Sequence, residues 1–368
     1  MQFDYLIVGS GITGATLARL FTDNGYKVLI LERRNHLGGN VHDRVHESGI
    51  RIHTYGPHYF RTSSEKIWTF VNRFVSFYPY KAQVKTLVDG QIENWPVTSS
   101  YIKKVVPGPW QPGFKGTPTN FEEASLALMP PPVYHKFVKG YTEKQWGLPA
   151  HKLSPNLVKR FDVREDDNPY LTPHHKYQGL PVDGYTSLMA NLLAGIPVHL
   201  KFDYLENREV FTPARKTFFT GPIDEYFNFE LGRLGYRSQQ REHIYLPDVE
   251  YFQPYGQINN PNPTTDKFIR TLEWKHLMQP ELARQARGTL ITRETPITPT
   301  NPQHYEYPFP DEENDRLYRR YLEKAYNHSN VVFCGRLGEY RYFDMDQAIG
   351  RAMALAHKEI NSHSYLYS

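Results

Sequence analysis

The chain has 368 residues, of which 39% are hydrophobic and 14% aromatic, enough to fill the cores of two or three globular domains. Its net charge of +4 comes from interspersed basic and acidic residues, so it lacks the concentrated basic stripe of a nucleic-acid-binding protein. Cys334 is the single cysteine, which excludes an internal disulfide. Since no apolar run approaches about 18 residues and no signal sequence is apparent, we predict a cytoplasmic protein without a transmembrane segment.

The first predicted elements are a strand over Phe3–Val8, the turn "GSGITG" and a helix over Ile12–Thr22. In this context Gly9 permits the tight turn, Gly11 lets the backbone approach a pyrophosphate, and Gly14 lets helix and strand pack closely. The N–H groups and the dipole at the helix N-terminus favour an anion. The pattern predicts a Rossmann-like dinucleotide site.

The next predicted strand ends at Glu32, 18 residues after Gly14, where a carboxylate can accept hydrogen bonds from ribose hydroxyls. The stretch that follows, "RRNHLGGNVHD", contains Gly38 and Gly39, whose backbone can close on a long cofactor. This pattern resembles FAD-binding flavoproteins more than NAD dehydrogenases. We therefore predict FAD as the cofactor.

The middle of the chain predicts mixed structure. Thr62 and Glu65 have the spacing of a capping box at the start of an amphipathic helix. The proline- and glycine-rich segment 95–132 allows only short regular elements. Helical character returns over 133–146, and aromatic-rich alternating segments over 248–310 indicate antiparallel strands.

Two later segments are predicted to return to the nucleotide domain. Thr217–Phe227 reads as a strand and turn, and Asn330–Ile360 as a strand, a glycine-bearing loop and a helix. The N-terminus of that helix, near Asp344–Gln347, could face the isoalloxazine and stabilise negative charge on the reduced ring.

We therefore predict an α/β fold with a discontinuous Rossmann-like FAD-binding domain, a small helical domain and an antiparallel β-sheet domain. The predicted boundaries are 1–80, 181–240 and 325–368 for the FAD-binding domain, 95–155 for the helical substrate domain, and 81–94, 156–180 and 241–324 for the sheet domain.

Several stretches resemble one family, the bacterial UDP-galactopyranose mutases. The similar motifs are "LERRNHLGGN", "GYTEKQWG", "TGPIDEYF", "LGYRS" and "GRLGEYRYFDM", together with the N-terminal glycine turn. The resemblance recurs along most of the chain and is weakest from about 95 to 130.

The resemblance implies an isomerase that interconverts the pyranose and furanose forms of a UDP-hexose, either UDP-galactose or UDP-N-acetylgalactosamine. It implies reduced FAD with N5 as the covalent nucleophile at the anomeric carbon, displacing UDP. It also implies an electron donor for the flavin, a homodimer and a role in cell-surface polysaccharide biosynthesis. No metal site is predicted.

The resemblance also implies the site residues. Arg160, 14 residues after Trp146, matches the family's mobile-loop arginine, and Arg270 in "KFIRTLEWKHL" matches a second one. Both are predicted to clamp the diphosphate, because a guanidinium pairs bidentately with phosphate oxygens. With His58, which matches a histidine beside the flavin, they are the predicted catalytic residues.

Further contacts follow from the same resemblance. The predicted substrate-binding residues are Phe137 and Tyr141 beside the uracil, Trp146 at the sugar, the arginines Arg160 and Arg270, Tyr170, Tyr307 and Tyr342 at the phosphates, and Arg61. The predicted cofactor-binding residues are Gly9, Gly11, Gly14, Glu32, Arg33, Gly39, Asn40, His58, Arg336, Tyr342, Asp344 and Met345.

Three departures from the family pattern matter. Arg61 stands where the family commonly has a second histidine, and we predict that it contacts the sugar and favours a 2-acetamido group. The interval from Tyr170 to Tyr177 looks long and contains Pro173. The segment 95–130 is shorter and richer in proline than in the family.

Other functions stay open at this stage. A conventional FAD-dependent oxidoreductase, such as an amine oxidase or hydroxylase, shares the cofactor fold but needs no diphosphate clamp. A non-catalytic nucleotide-sugar-binding protein would bind the ligand without turnover. Within the mutase class, another nucleotide sugar such as a dTDP-hexose is an alternative substrate.

Overall fold

The computed structural model describes residues 2–364, apart from the side chains of Arg160, His363 and Ser364. The strands, in chain order, are β1 Tyr5–Val8, β2 Val28–Glu32, β3 Asp43–Val45, β4 Arg51–His53, β5 Phe60–Thr62, β6 Phe77–Pro79, β7 Val84–Val88, β8 Gln91–Trp95, β9 Tyr177–Pro181, β10 Val198–Leu200, β11 Lys216–Phe219, β12 Tyr236–Leu246, β13 Gln257–Asn259, β14 Arg270–Glu273, β15 Thr289–Ile297, β16 Tyr307–Pro308 and β17 Val331–Phe333.

The α-helices are α1 Ile12–Asp23, α2 Glu65–Asn72, α3 Ser99–Val105, α4 Phe121–Leu128, α5 Pro131–Val133, α6 Gly140–Trp146, α7 Gly184–Leu192, α8 Ile223–Tyr226, α9 Pro280–Gln285, α10 Glu312–Ala325, α11 Gly335–Gly338 and α12 Met345–Ser364. A π-helix spans Tyr134–Lys139, and short 3-10 helices span Gly39–Val41, Ala150–Lys152, Pro155–Arg160, Trp274–Leu277 and Pro302–His304.

A parallel sheet in the order β10–β2–β1–β11–β17 forms the nucleotide-binding part. Successive strand residues point to opposite faces, so Tyr5 and Ile7 pack with α1, α7 and α12, whereas Leu6 packs with residues of α8 and α10. Four separate stretches of sequence supply these strands. The predicted return of Thr217–Phe227 and Asn330–Ile360 to this sheet is confirmed.

A second sheet has seven strands in the order β16–β12–β15–β14–β13–β7–β8. Its pairs are antiparallel except β13 with β7, which is parallel. The antiparallel strands predicted over 248–310 are therefore confirmed. Register places Asn259, Arg270, Glu294 and Arg241 side by side across β13, β14, β15 and β12. A row of polar side chains therefore crosses one face of this sheet.

The helical part packs around its own core, in which Phe121, Tyr134, Phe137 and Trp146 are buried. Its elements over 95–132 are short, as the prolines and glycines predict. The predicted helix over 133–146 is confirmed, with the π-helix inserted between α5 and α6. This part places the side chains of α6 opposite the seven-stranded sheet.

The predicted fold class is confirmed, and the domain boundaries stay a prediction. One local prediction is wrong: Ser64, not Thr62, caps α2, since the Ser64 hydroxyl accepts from the Ile67 N–H at 3.3 Å. Thr62 ends β5, and its hydroxyl accepts from the Ser64 N–H instead. Across residues 2–364, none of the helices has the length and apolarity needed to cross a membrane.

Candidate functional site

A cleft of about 180 Å³ opens along the carboxyl ends of β1 and β2, where the parallel sheet meets α1. The predicted cofactor residues that line it are Gly9, Gly11, Gly14, Glu32, Arg33, Gly39, Asn40, His58, Arg336 and Met345. Tyr342 and Asp344 do not line it and lie in a neighbouring cavity. Most of the residues predicted from the glycine turn and its surroundings therefore converge on one cleft.

The three glycines of the turn have different surroundings. Gly9 has φ +102°, and a Cβ added there would lie 2.1 Å from Thr220 Oγ1. A Cβ on Gly14 would lie 2.0 Å from the Gly9 carbonyl oxygen. Gly11 has φ −68°, and a Cβ on it would meet no protein atom closer than Gly39 Cα at 3.9 Å. The fold requires Gly9 and Gly14, whereas Gly11 leaves space that suits a bound dinucleotide.

Two charged residues at the end of β2 line this cleft. The Glu32 carboxylate accepts from the Ser10 N–H, the Ser10 hydroxyl and the Arg34 N–H, each at 2.8 Å. Arg33 donates two hydrogen bonds to Glu225, at 2.9 and 2.7 Å. Glu32 is thus held in one orientation at the cleft, where its carboxylate could also accept from a ribose, and Arg33 is anchored to α8 through Glu225.

A second cavity, of about 320 Å³, lies between the seven-stranded sheet and α6. The predicted residues that line it are Arg61, Phe137, Tyr141, Trp146, Arg270, Tyr307, Tyr342 and Asp344. Tyr170 is not among its lining residues; its ring lies 5.6 Å from the Lys81 ammonium, and Leu171 lines the cavity instead. The side chain of Arg160 lies outside the described part of the chain.

Arg270 belongs to a buried chain of ion pairs. Its Nε atom donates to Glu294, and Glu294 also accepts from Arg241 Nε at 2.9 Å. Arg241 in turn donates to both oxygens of Glu306, at 2.7 and 2.8 Å. Burial by itself would raise the pKa of Glu294, but the charges of Arg270 and Arg241 and their hydrogen bonds lower it. Arg270 is therefore held rigidly as a cation in the cavity wall.

Four residues line both the cleft and the cavity: Asn40, His58, Arg336 and Met345. Arg336 donates to the Glu306 carbonyl at 3.1 Å and to the Phe343 carbonyl at 2.9 Å. Its guanidinium lies 4.7 Å from the Tyr342 ring centre, and Tyr342 stacks with Tyr307 at 6.2 Å. The two spaces thus share one wall.

Arg61 lines the cavity beside the start of α12. Its Nη2 atom lies 3.0 Å from Asp344 Oδ2, and the Tyr342 hydroxyl donates to Asp344 Oδ1 at 3.0 Å. The Asp344 N–H donates to the Gln347 side chain. The helix N-terminus predicted near Asp344 is confirmed, and its first residues adjoin both spaces.

Comparisons with known proteins agree with this geometry. A family model described as UDP-galactopyranose mutase matches residues 136–342, more than half of the chain. The chain belongs to this family. A model of the NAD(P)-binding Rossmann-like domain matches residues 7–74, which contain the glycine turn.

Relatives and a solved structure cover almost the whole chain. A dTDP-fucopyranose mutase of Escherichia coli is 33% identical, over 97% of this chain and 98% of its own. A UDP-galactopyranose mutase of Mycoplasma pneumoniae is 30% identical, over 96% of each chain. The crystal structure of a reduced UDP-galactopyranose mutase superposes with a TM-score of 0.80 at 14% identity, covering 98% and 96% of the two chains. The predicted family and enzyme class, an isomerase, are thereby confirmed.

Sequence reasoning missed several residues of this mutase's cavity wall. Glu306, Trp95 and Asn259, which line the cavity, were not singled out, and neither were Glu294 and Arg241, which support Arg270 from behind the wall. In the sequence, the three charged residues of the ion-pair chain look like solvated charges on alternating strands. Strand register, which pairs Glu294 with both Arg270 and Arg241, is what reveals their connection.

His58 is a buried neutral histidine in the shared wall. Its Nδ1–H donates to the Gly56 carbonyl at 2.8 Å, and its backbone N–H donates to His53 Nδ1 at 3.0 Å. Burial, with smaller effects of His53 and Arg336, lowers the pKa of His58 to about 3. Burial, with a smaller effect of Arg51, likewise lowers the pKa of His53 to about 3. At neutral pH, His58 is therefore an uncharged residue of the shared wall and not a cation.

We expect these histidines to make stability fall as pH falls. Below the unfolded pKa near 6.5, the unfolded chain binds protons that the folded chain excludes until about pH 3. His53→Asn keeps an acceptor for the backbone N–H of His58. It should reduce the decrease in the free energy of unfolding by up to about 1.4 kcal/mol per pH unit. Urea unfolding between pH 7.5 and 4.5 measures this, with exposed His199→Asn as the control. Equal slopes for His53→Asn and the unmodified enzyme would contradict the assignment.

Proposed function

We propose that this mutase interconverts the pyranose and furanose forms of a nucleoside-diphosphate hexose, with reduced FAD as cofactor. The shared wall of Asn40, His58, Arg336 and Met345 is the observation that carries the proposal. A dinucleotide in the cleft would present its far end to the arginine- and tyrosine-lined cavity. When bound and reduced, FAD supplies N5 as a nucleophile at the anomeric carbon.

The chain's own part is to hold a diphosphate that leaves and returns. Glu294 occupies Arg270 Nε, and among the side chains that the structure describes neither Nη atom of Arg270 has a hydrogen-bonding partner. Both Nη groups can therefore donate to phosphate oxygens. Arg160 is proposed as the second clamp. Tyr307 is proposed to supply a hydroxyl donor, and Tyr342, whose hydroxyl donates to Asp344, packs its ring against that of Tyr307.

The base is proposed to lie among the aromatic residues at the other end of the cavity. The rings of Trp95 and Phe137 stack at 6.3 Å, and Tyr141 and Trp146 follow on α6. Such a wall accepts either uracil or thymine. A UDP-hexose is the proposed substrate because the matching family is defined by UDP-galactopyranose. A dTDP-hexose is the second candidate because the relative at 33% identity is a dTDP-fucopyranose mutase.

The test is an anaerobic incubation of the dithionite-reduced holoenzyme with UDP-galactose, UDP-N-acetylgalactosamine and dTDP-fucose in separate reactions. Chromatography then separates pyranose from furanose. Conversion of one of them supports the proposal and assigns the sugar and nucleotide. The proposal fails if none converts while the flavin stays bound and reduced. Equal rates with oxidised and reduced enzyme would remove the nucleophilic role of the flavin and reopen other FAD chemistry.

Arg61→His is expected to change which hexose is preferred. Arg61 Nη2 pairs with Asp344 and Nη1 donates to the Tyr59 carbonyl at 3.5 Å, so the remaining N–H groups can donate to the carbonyl of a 2-acetamido group; a charged hydrogen bond contributes about 1.5–3 kcal/mol. We therefore expect the ratio of kcat/KM for UDP-N-acetylgalactosamine over UDP-galactose to fall roughly tenfold or more. Arg73→His, at a surface ion pair with Asp23, is the control. An unchanged ratio in Arg61→His would show that Arg61 does not read the sugar.

The cytoplasmic location, the homodimer and the external electron donor stay predictions. Size-exclusion chromatography with light scattering addresses the dimer, and flavin reduction by NADH or NADPH under anaerobic conditions addresses the donor.

A further inference from the structure

The segment 161–171 folds around one buried guanidinium. The side chain of Arg164 is 5% exposed. It donates from Nε to Asp162 at 3.1 Å, from Nη1 to the Asn168 carbonyl at 2.6 Å and from Nη2 to the Leu171 carbonyl at 3.0 Å. Three acceptors spread over ten residues thus converge on one side chain. A lysine could not bridge them, because its ammonium is a compact point charge on a flexible stem.

The two ends of this segment form part of the substrate cavity. Phe161 and Leu171 both line it. The Leu171 N–H donates to the Ala82 carbonyl at 2.8 Å, which joins the segment to the chain just before β7. By closing the loop, Arg164 sets the positions of both apolar side chains without touching the cavity itself.

The same segment carries a dense negative charge. Its four carboxylates are Asp162, Glu165, Asp166 and Asp167, all exposed. Among the residues that the structure describes, none of the four lines the cavity. The start of α3 holds two of these residues on the outer side: the Ser99 N–H donates to the Asp166 backbone carbonyl at 2.9 Å, and the Ser100 N–H donates to Asp167 Oδ1 at 2.8 Å.

We propose that Arg164 is a positioning residue for substrate binding. It folds segment 161–171 so that Phe161 and Leu171 face the cavity while the four carboxylates face solvent. A carboxylate turned toward the cavity would repel a diphosphate there, and Arg164 prevents this by holding the backbone carbonyls of the loop. The inference rests on the proposed nucleoside-diphosphate substrate.

Isothermal titration of the oxidised holoenzyme with UDP and with dTDP tests this, at about 0.05 M and 0.3 M salt. We expect Arg164→Gln to weaken binding by about tenfold or more and to regain part of the loss at high salt, where the repulsion is screened. KM should rise more than kcat falls, and the flavin absorbance spectrum should not change. Asp162→Asn, which keeps both carbonyl bonds, is the matched control and should bind like the unmodified enzyme.

A rescue variant separates charge from simple loss of folding. Arg164→Gln combined with Glu165→Gln and Asp166→Asn should bind the nucleotide more tightly than Arg164→Gln alone. If Arg164→Gln does not fold, Arg164→Lys carries the test, since it keeps the charge but cannot reach all three acceptors. Unchanged affinity in the folded variant, or a loss that neither salt nor the rescue reduces, would overturn the role of Arg164. If the unmodified enzyme binds neither nucleotide, the proposed function itself fails and this inference with it.

Discussion

Arg270→Ala is expected to lower kcat/KM by roughly 30-fold to several thousandfold, or about 2–5 kcal/mol of transition-state stabilisation. In the proposed reaction, the charge on the departing diphosphate would develop where Arg270 presents its Nη groups. Glu294 holds that guanidinium in one orientation and remains paired with Arg241 at 2.9 Å when Arg270 is removed. The loss should therefore come from the cavity and not from an orphaned buried carboxylate.

Steady-state kinetics of the reduced enzyme measure this effect. Arg293→Ala is the matched control. Arg293 lies next to Glu294 on β15, but its guanidinium lies 5.3 Å from the Phe268 ring centre, away from the ion-pair chain. It should leave kcat/KM nearly unchanged. Arg160→Ala is expected to act in the same direction as Arg270→Ala. Near-normal kcat/KM in Arg270→Ala would contradict the clamp.

Gly11→Ala and Gly14→Ala are expected to separate cofactor binding from folding. The Cβ of Gly11→Ala meets no protein atom within 3.9 Å and suits its φ of −68°. It would enter the space that a pyrophosphate needs. We expect FAD affinity to fall at least about tenfold while the thermal midpoint of the apoprotein changes little.

Gly14→Ala, in contrast, should mainly destabilise the apoprotein. Its Cβ would lie 2.0 Å from the Gly9 carbonyl and 3.1 Å from Ile7, so α1 must move away from β1. An overpacked contact of this kind costs about 1–3 kcal/mol or more, and the apoprotein should unfold at a lower temperature. Fluorescence titration with FAD and thermal unfolding of both apoproteins give the two readouts. FAD binding by Gly11→Ala as tight as in the unmodified enzyme would show that the turn holds no pyrophosphate.

Local signals predicted the nucleotide-binding half well. The strand, the glycine turn and α1 are neighbours in sequence, so their geometry follows from a few adjacent residues. The assignment of Thr217–Phe227 to the same domain came from its local strand-and-turn pattern and is confirmed by the pairing of β11 with β1. The cap of α2 was misplaced because serine and threonine compete within three positions, and the end of β5 decided between them.

The residues that line and support the cavity were harder to predict from the sequence. Arg270 could be named, but its partner Glu294 lies 24 residues away along the chain, and Arg241, which also pairs with Glu294, lies 29 residues from Arg270; strand register brings the three together. Tyr170 was expected at the phosphates, yet Leu171 lines the cavity, because the hydrogen bonds of Arg164 and the pairing of Leu171 with Ala82 set the local chain direction.

By itself, the sequence determined the fold class, the dinucleotide turn and the family, because hydrophobic periodicity, glycine placement and short motifs act within a few residues. Only the tertiary structure decided which charges neutralise one another, that Asn40, His58, Arg336 and Met345 form one wall between two spaces, and that Arg164 faces inward while its acidic neighbours face solvent. The physical reason is that burial and pairing depend on strand register and loop closure, which join residues far apart in the chain.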